Sequence, residues 1–289
     1  MGVFELVFLI IFWTWVVSSV AFLCNTFLPR YPISLPYTFK NLALETVHFK
    51  STDGLHLEGW KVRTDPNRPW IILCHGLGSN RSDLLDIASR LRSANFNLFL
   101  FDFRGHGGSA GRTTSFGWQE QYDLEGALVY LGSQADVTAQ TYGIYGISMG
   151  GSVAIMVAAR DERLGAIATE SPYANLQSTL LHNMKLLYRA PKIPFLWFIA
   201  ITYRLRFKVW PKHVSPMQSA GRLSPRSLLL IHGQNDTREP IQQAKDIFAS
   251  AGSPKEFWNI NDADHLEGFQ IDPELYVRRL AGFFESNLT

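Results

Sequence analysis

The strongest constraint on this chain is a recurring pair: a short, almost wholly apolar run, then a stretch with helical spacing. The first run, PWIILCHG (69–76), reads as a strand covered on both faces. From Ser82 to Ala94 the residues Leu84, Leu85, Ile87, Ala88 and Leu91 repeat on one helical face. NLFLFDF, TYGIYG, GAIATES, SLLLIHG and KEFWNIN are further strand-like runs. Helical stretches are expected at Gln119–Leu131, Ser152–Ala159, Pro240–Ala251 and Pro273–Asn287. Ahead of them, ETVHFKS and LHLEGWKV pair around the turn Thr52-Asp53-Gly54. Such alternation specifies an α/β fold with a mostly parallel central sheet and helices on both faces. With 46% apolar residues over 289 positions, the chain can bury that core.

Ligands bind at the carboxyl ends of strands in such sheets, so the residues just past each strand carry the functional reading. After TYGIYG comes Gly146-Ile147-Ser148-Met149-Gly150-Gly151. A serine on a sharp strand-to-helix turn needs small neighbours two residues away on each side, which Gly146 and Gly150 supply. A hydroxyl is a weak nucleophile without a base and an orienting acid. Chain order for this turn is serine, acid, histidine. Asp236 lies just past SLLLIHG, and His265 lies in the loop before the last helix, so Ser148, Asp236 and His265 are the candidate triad. Glu239 is a local rival for the acid. Asp262 and Asp264 beside His265 read as turn formers or solvated carboxylates. An oxyanion developing during acyl transfer needs backbone donors. Met149 N–H, after the nucleophile, and Leu77 N–H, in the loop His75-Gly76-Leu77-Gly78-Ser79-Asn80, are the candidates.

Taken together, HGLGSN, DFRGHGGSAG, GISMGG, HGQND and DADH resemble the α/β-hydrolase family, in its serine aminopeptidase-like and Bem46-like branch. The resemblance runs from about residue 42 to residue 288. It implies an α/β-hydrolase fold with a cap inserted at about 172–225, over the site. It also implies that His75 and the Arg104-Gly105-His106-Gly107 turn are structural.

From Leu6 to Leu28, 23 residues carry no charge, enough for a helix to cross a bilayer core of ~30 Å. An uncleaved single-pass anchor (residues 1–29) ahead of a hydrolase domain (30–289) is favoured over a cleavable signal peptide. The flanking n-region has Glu5 and no Lys or Arg, and the run exceeds an ordinary h-region, although Ser19-Val20-Ala21 offers small residues for cleavage. Arg30 and Lys40 follow the span, which assigns the large domain to the cytoplasm by the positive-inside tendency. Two cysteines, Cys24 and Cys74, make no disulfide framework. Cys74 reads as a core residue, and Cys24 as an apolar filler or an acylation site.

Charge is unevenly distributed. Between Ser171 and Asn235 there are nine Lys/Arg and no Asp or Glu, while the rest of the chain has 18 Lys/Arg against 25 Asp/Glu. The run Pro194–Tyr203 inside this basic segment is strongly apolar. Two readings stand: a cap helix packed on the core with solvated cations around it, or a cap resting on an anionic bilayer. No metal-ligand spacing, phosphate loop or dinucleotide fingerprint occurs, so no cofactor, metal or nucleic-acid partner is expected. The expectation is a membrane-anchored serine hydrolase acting on a small-molecule or lipid acyl ester. An aminopeptidase or acyltransferase on the same triad, and a non-catalytic binding protein, are the alternatives.

Overall fold

The computed structural model describes residues 2–189 and 194–288. Eight strands form one sheet: β1 (Glu45–Lys50), β2 (His56–Val62), β3 (Trp70–Cys74), β4 (Asn97–Phe101), β5 (Tyr142–Ile147), β6 (Leu164–Glu170), β7 (Ser227–Gly233) and β8 (Lys255–Ile260). Their order across the sheet is β1-β2-β4-β3-β5-β6-β7-β8. Pairs β1/β2 and β2/β4 are antiparallel, and every later pair is parallel. The helices are α1 (Val3–Thr26), α2 (Leu85–Ser93), α3 (Glu120–Ser133), α4 (Met149–Ala158), α5 (Leu176–Tyr188), α6 (Phe195–Phe207), α7 (Pro216–Ala220), α8 (Ile241–Ser250), α9 (Gly268–Ile271) and α10 (Pro273–Asn287).

Strand alternation divides the core between the two faces. In β3, Trp70, Ile72 and Cys74 join a cluster with α3, α4 and α8. Ile71 and Leu73 join the opposite cluster with α2 and α10. Successive side chains of a strand point to opposite faces, so a buried parallel strand must be apolar throughout. Each fully buried Leu or Ile contributes about 1.5–3 kcal/mol relative to exposure, which fixes this register firmly. Cys74 is a core residue as expected, and burial pushes its thiol far above the ordinary range.

Helix α4 begins at Met149, ahead of the expected Ser152. Gly150 and Gly151 are poor helix formers by propensity. Close approach keeps them in the helix: a Cβ on Gly150 would stand 2.4 Å from the carbonyl oxygens of Cys74 and His75. Helix α2 begins late, after a 3-10 turn at Arg81–Leu84 capped by the Asn80 side chain on Ser82 N–H at 2.9 Å. Short α9 has no counterpart in the sequence reading.

Helices α5, α6 and α7 are inserted between β6 and β7, in the acid-free segment. On α6, Leu196, Ala200, Thr202, Tyr203 and Phe207 are buried. Part of that burial comes from α1, the one described helix long and apolar enough to cross a membrane. Ser19 Oγ lies 2.6 Å from Thr202 Oγ1, and the Phe22 ring lies 6.0 Å from that of Tyr203. Ser18, Phe22 and Thr26, four apart on one face of α1, are buried. The segment after α1 is strapped to the domain by Arg30, whose guanidinium donates to the carbonyls of Gly107 (2.9 Å) and Gly111 (2.5 Å).

Candidate active site

At the end of β5 the chain turns into α4 through Ser148, whose φ of 50° and ψ of −119° lie where L-residues are strained. The surroundings impose this. Ser148 N–H donates to the Glu170 carbonyl at the end of β6 (2.8 Å). A Cβ on Gly146 would meet the Gly150 carbonyl oxygen at 2.5 Å, and one on Gly151 would meet the Gly146 oxygen at 2.8 Å. No residue larger than glycine fits these points without moving backbone, so the serine hydroxyl is presented on a rigid tip.

Two further strand ends converge on it. His265 Nε2 is 3.2 Å from Ser148 Oγ, and His265 Nδ1 is 2.8 Å from Asp236 Oδ2. A carboxylate only accepts, so Nδ1 carries the proton and Nε2 presents its lone pair to the serine. Asp236 Oδ1 takes the N–H groups of Arg238 (3.0 Å) and Glu239 (2.8 Å). Burial alone would raise the Asp236 carboxyl. The hydrogen bond and charge of His265, with the Glu239 N–H, hold it below the usual range instead. Asp236 is therefore ionised at neutral pH.

The rival carboxylates lie elsewhere. Glu239 Oε2 accepts from Thr179 Oγ1 on α5 (2.9 Å) and from Gln243 Nε2 (3.2 Å), away from the histidine ring. Desolvation pushes its carboxyl up to about 8. Asp264 Oδ1 accepts the N–H groups of Thr237 (2.8 Å) and His265 (2.7 Å), so it laces the acid loop to the histidine loop.

Gly76 follows β3, and a Cβ there would lie 3.4 Å from Ser148 Cβ, so Leu77 belongs to the loop flanking Ser148. Two histidines hold this loop. His75 Nε2 accepts Phe103 N–H (3.0 Å), which leaves Nδ1–H to donate to the Gly76 carbonyl (2.7 Å). His106 Nε2 accepts Gly78 N–H (3.1 Å), and its Nδ1–H donates to the Arg104 carbonyl (2.8 Å). Burial lowers the pKa of both rings, so they stay neutral. Met149 N–H is the first of α4 and has no intrahelical acceptor.

Sequence reasoning missed Glu170. Its Oε2 lies 3.0 Å from Tyr145 Oη and 2.8 Å from Tyr276 Oη, and those hydroxyls are 2.8 Å apart. Both hydroxyls donate to this oxygen, and burial raises the carboxyl above its ordinary range. Oε1 then accepts Gly268 N–H (3.1 Å), three residues past His265. An acid closing a buried strand was the available signal. The loop 114–117 was also missed. Its backbone N–H at Thr114 donates to Thr26 of α1 (2.9 Å), and its carbonyls at Ser115 and Phe116 accept from Tyr203 (2.9 Å) and Tyr173 (2.7 Å). Thr114 Oγ1 also reaches Met149 Sδ (3.8 Å). Among the described residues no cluster of His, Cys, Asp or Glu could hold a metal.

A mostly parallel eight-stranded sheet, with a strained serine turn after β5 and inserted helices after β6, defines an α/β-hydrolase fold. Residues 65–213 match the family described as Serine aminopeptidase, S33, and the chain belongs to that family. The matched span contains Leu77 and Ser148 and ends before Asp236 and His265. Escherichia coli (strain K12) YfhR is 29% identical over 291 residues, covering 98% of this chain and 94% of its own. Protein bem46 of Schizosaccharomyces pombe is 24% identical over 220 residues, covering 74% and 68%. The Pyrococcus furiosus esterase Pf2001 superimposes with a TM-score of 0.75 at 23% identity, over 91% of this chain and all of that one.

Proposed function

We propose that this protein is a membrane-anchored serine hydrolase that cleaves carboxylic esters with an apolar acyl part, through Ser148, His265 and Asp236. The observation that carries the reading is the chain of contacts from Ser148 Oγ to His265 (3.2 Å) and on to Asp236 (2.8 Å), across the ends of three strands. His265 Nε2 takes the hydroxyl proton as Ser148 Oγ attacks the ester carbonyl. Asp236 orients the ring and stabilises the imidazolium. Leu77 and Met149 N–H groups hold the oxyanion. Collapse of the tetrahedral adduct expels the alcohol, which takes its proton from His265. A water then gives a proton to Nε2, attacks the acyl-enzyme and releases the acid and free Ser148.

Residues 1–29 serve as the anchor, 30–289 as the hydrolase domain, and about 172–225 as its cap. Retention of α1 is supported by its packing. Cleavage after Ala21 would remove Ser19 and leave the Thr202 hydroxyl without it. An anchored enzyme meets its substrates at a membrane, which favours acyl lipids and lipidated molecules. Arg30 and Lys40 after the span favour a cytoplasmic domain.

The test is labelling by a fluorophosphonate probe in membranes, wild type beside Ser148→Ala. Labelling lost in the variant supports the serine assignment. No labelling of folded wild type removes it. An ester panel of graded acyl length, beside peptide and alcohol-acceptor substrates, then separates esterase from aminopeptidase and acyltransferase.

A further inference from the structure

Helix α6 does not follow the pattern of a surface helix. Its outward face carries the apolar stripe Trp197, Ile201 and Leu205, spaced four apart, with Arg204 and Arg206 in the last turn. Trp197 is 66% exposed and Leu205 58%. An exposed apolar stripe ending in cations suits a membrane surface. Among the described residues Trp197 and Leu205 stay uncovered, and Ile201 is half-buried.

Helix α1 supplies the second observation. Burial along it begins at Thr14, and from there to Thr26 it runs against the rest of the protein. The exposed part, Val3–Trp13, is roughly 17 Å long at 1.5 Å per residue. A bilayer core is about 30 Å thick. The free part alone leaves a shortfall of roughly 13 Å, close to one leaflet. The docked part of α1 must make up that distance, and α6 is fixed to it through Ser19–Thr202 and Phe22–Tyr203. Beyond the apolar stripe lie exposed Arg206, Lys208, Trp210 and Lys212, in a segment with no carboxylate from Ser171 to Asn235.

We infer that α6 and the docked half of α1 form one unit immersed in the near leaflet, with Arg206, Lys208 and Lys212 against anionic lipid headgroups. This rests on reading α1 as a membrane span. The Ser19–Thr202 contact then acts as an interhelical hydrogen bond in an apolar layer, and the small side chains of Ser18 and Ser19 allow the close approach. The lower edge of the inserted helices sits below the headgroups, and Trp210 and the cations sit among them.

The test uses the full chain, in a Cys24→Ser background, reconstituted in phosphatidylcholine bilayers with and without phosphatidylglycerol. Spin labels are placed at Trp197→Cys and Leu205→Cys on α6, Leu9→Cys on α1, and Lys245→Cys on exposed α8. Accessibility to oxygen is compared with accessibility to a water-soluble nickel chelate. Labels at 197, 205 and 9 should favour oxygen, and the label at 245 should favour nickel. Nickel preference at 197 and 205, with oxygen preference retained at 9, overturns the immersion of α6 and spares the anchor. Nickel preference at 9 overturns the anchor reading itself. Brominated phosphatidylglycerol should quench the tryptophan fluorescence more than brominated phosphatidylcholine. That preference should vanish in Arg206→Glu/Lys208→Glu/Lys212→Glu. Equal quenching in the wild type overturns the anionic contact.

Discussion

Glu170 accepts the backbone N–H of Gly268 through its side chain while its own carbonyl takes the N–H of Ser148. One residue at the end of β6 thus ties the serine turn to the loop that carries His265. Glu170→Gln keeps the side chain's size and one acceptor oxygen and should retain more activity than Glu170→Ala. Glu170→Ala leaves Gly268 N–H and two tyrosine hydroxyls short of a partner, at about 1–3 kcal/mol each. We expect kcat to fall roughly 10- to 100-fold through displacement of His265, with KM little changed. Glu170 faces Tyr145, Tyr276 and His265, and burial raises its carboxyl. Wild-type kcat in Glu170→Ala would remove the bracing role.

Asp236 and Glu239 can be told apart by activity. Asp236→Asn should lower kcat about 10⁴-fold by upsetting the histidine tautomer. Glu239→Gln, whose side chain faces Thr179 and Gln243, should stay within roughly threefold of wild type. Steady-state ester hydrolysis measures both, and the reverse ranking would hand the acid role to Glu239.

Stability should depend on pH through Glu239. Its carboxyl is raised from 4.5 to about 8 in the fold, by burial first and by the charge of Asp236. A raised carboxyl stabilises fully below the unfolded value of 4.5. That contribution declines as pH rises and is gone above about 8. The slope is at most about 1.4 kcal/mol per pH unit. Glu239→Gln should flatten this decline in Tm measured between pH 5 and 9, gaining on wild type toward the alkaline end. Parallel Tm curves would contradict the buried neutral acid.

Backbone strain at Ser148 predicts a difference between two variants of this residue. Ser148→Gly relieves the positive φ and Ser148→Ala keeps it, so the glycine variant should be more stable by about 1–2 kcal/mol in denaturant unfolding. Gly150→Ala should do the opposite and unfold the turn, because the new Cβ meets fixed carbonyl oxygens of Cys74 and His75 at 2.4 Å. A wild-type Tm for Gly150→Ala would show that the turn tolerates more than this geometry allows.

The packing of α1 is testable at Phe22, which is buried against Phe116 and Tyr203. Phe22→Ala should destabilise the protein by about 3 kcal/mol in detergent. Phe4→Ala, on the fully exposed end of the same helix, should leave Tm unchanged. Equal effects would mean that α1 and the domain are not packed as one body.

The parallel strands were legible because a strand covered on both faces has to be apolar at every position, and a local pattern records that. The turn at Ser148 was legible for a similar reason: Gly146 and Gly150 are demanded by collisions within a few residues. Chain order nominated Asp236 and His265, but proximity in sequence could not separate Asp236 from Glu239. That choice follows from which carboxylate the β7 and β8 loops turn toward the imidazole. Glu170, Tyr145 and Tyr276 come from β6, β5 and α10, and no spacing rule joins residues 131 positions apart. The span Leu6–Leu28 announced its hydrophobicity and nothing of its partner. Its docking on α6 depends on shape and hydrogen bonding between segments 183 residues apart. The sequence by itself determined the layers, the strand ends and the serine turn, because these arise from short-range periodicity and steric exclusion. Only the tertiary structure decided which acid meets the histidine, which buried carboxyl braces its loop and where the N-terminal helix rests, because those are set by long-range packing that no local pattern encodes.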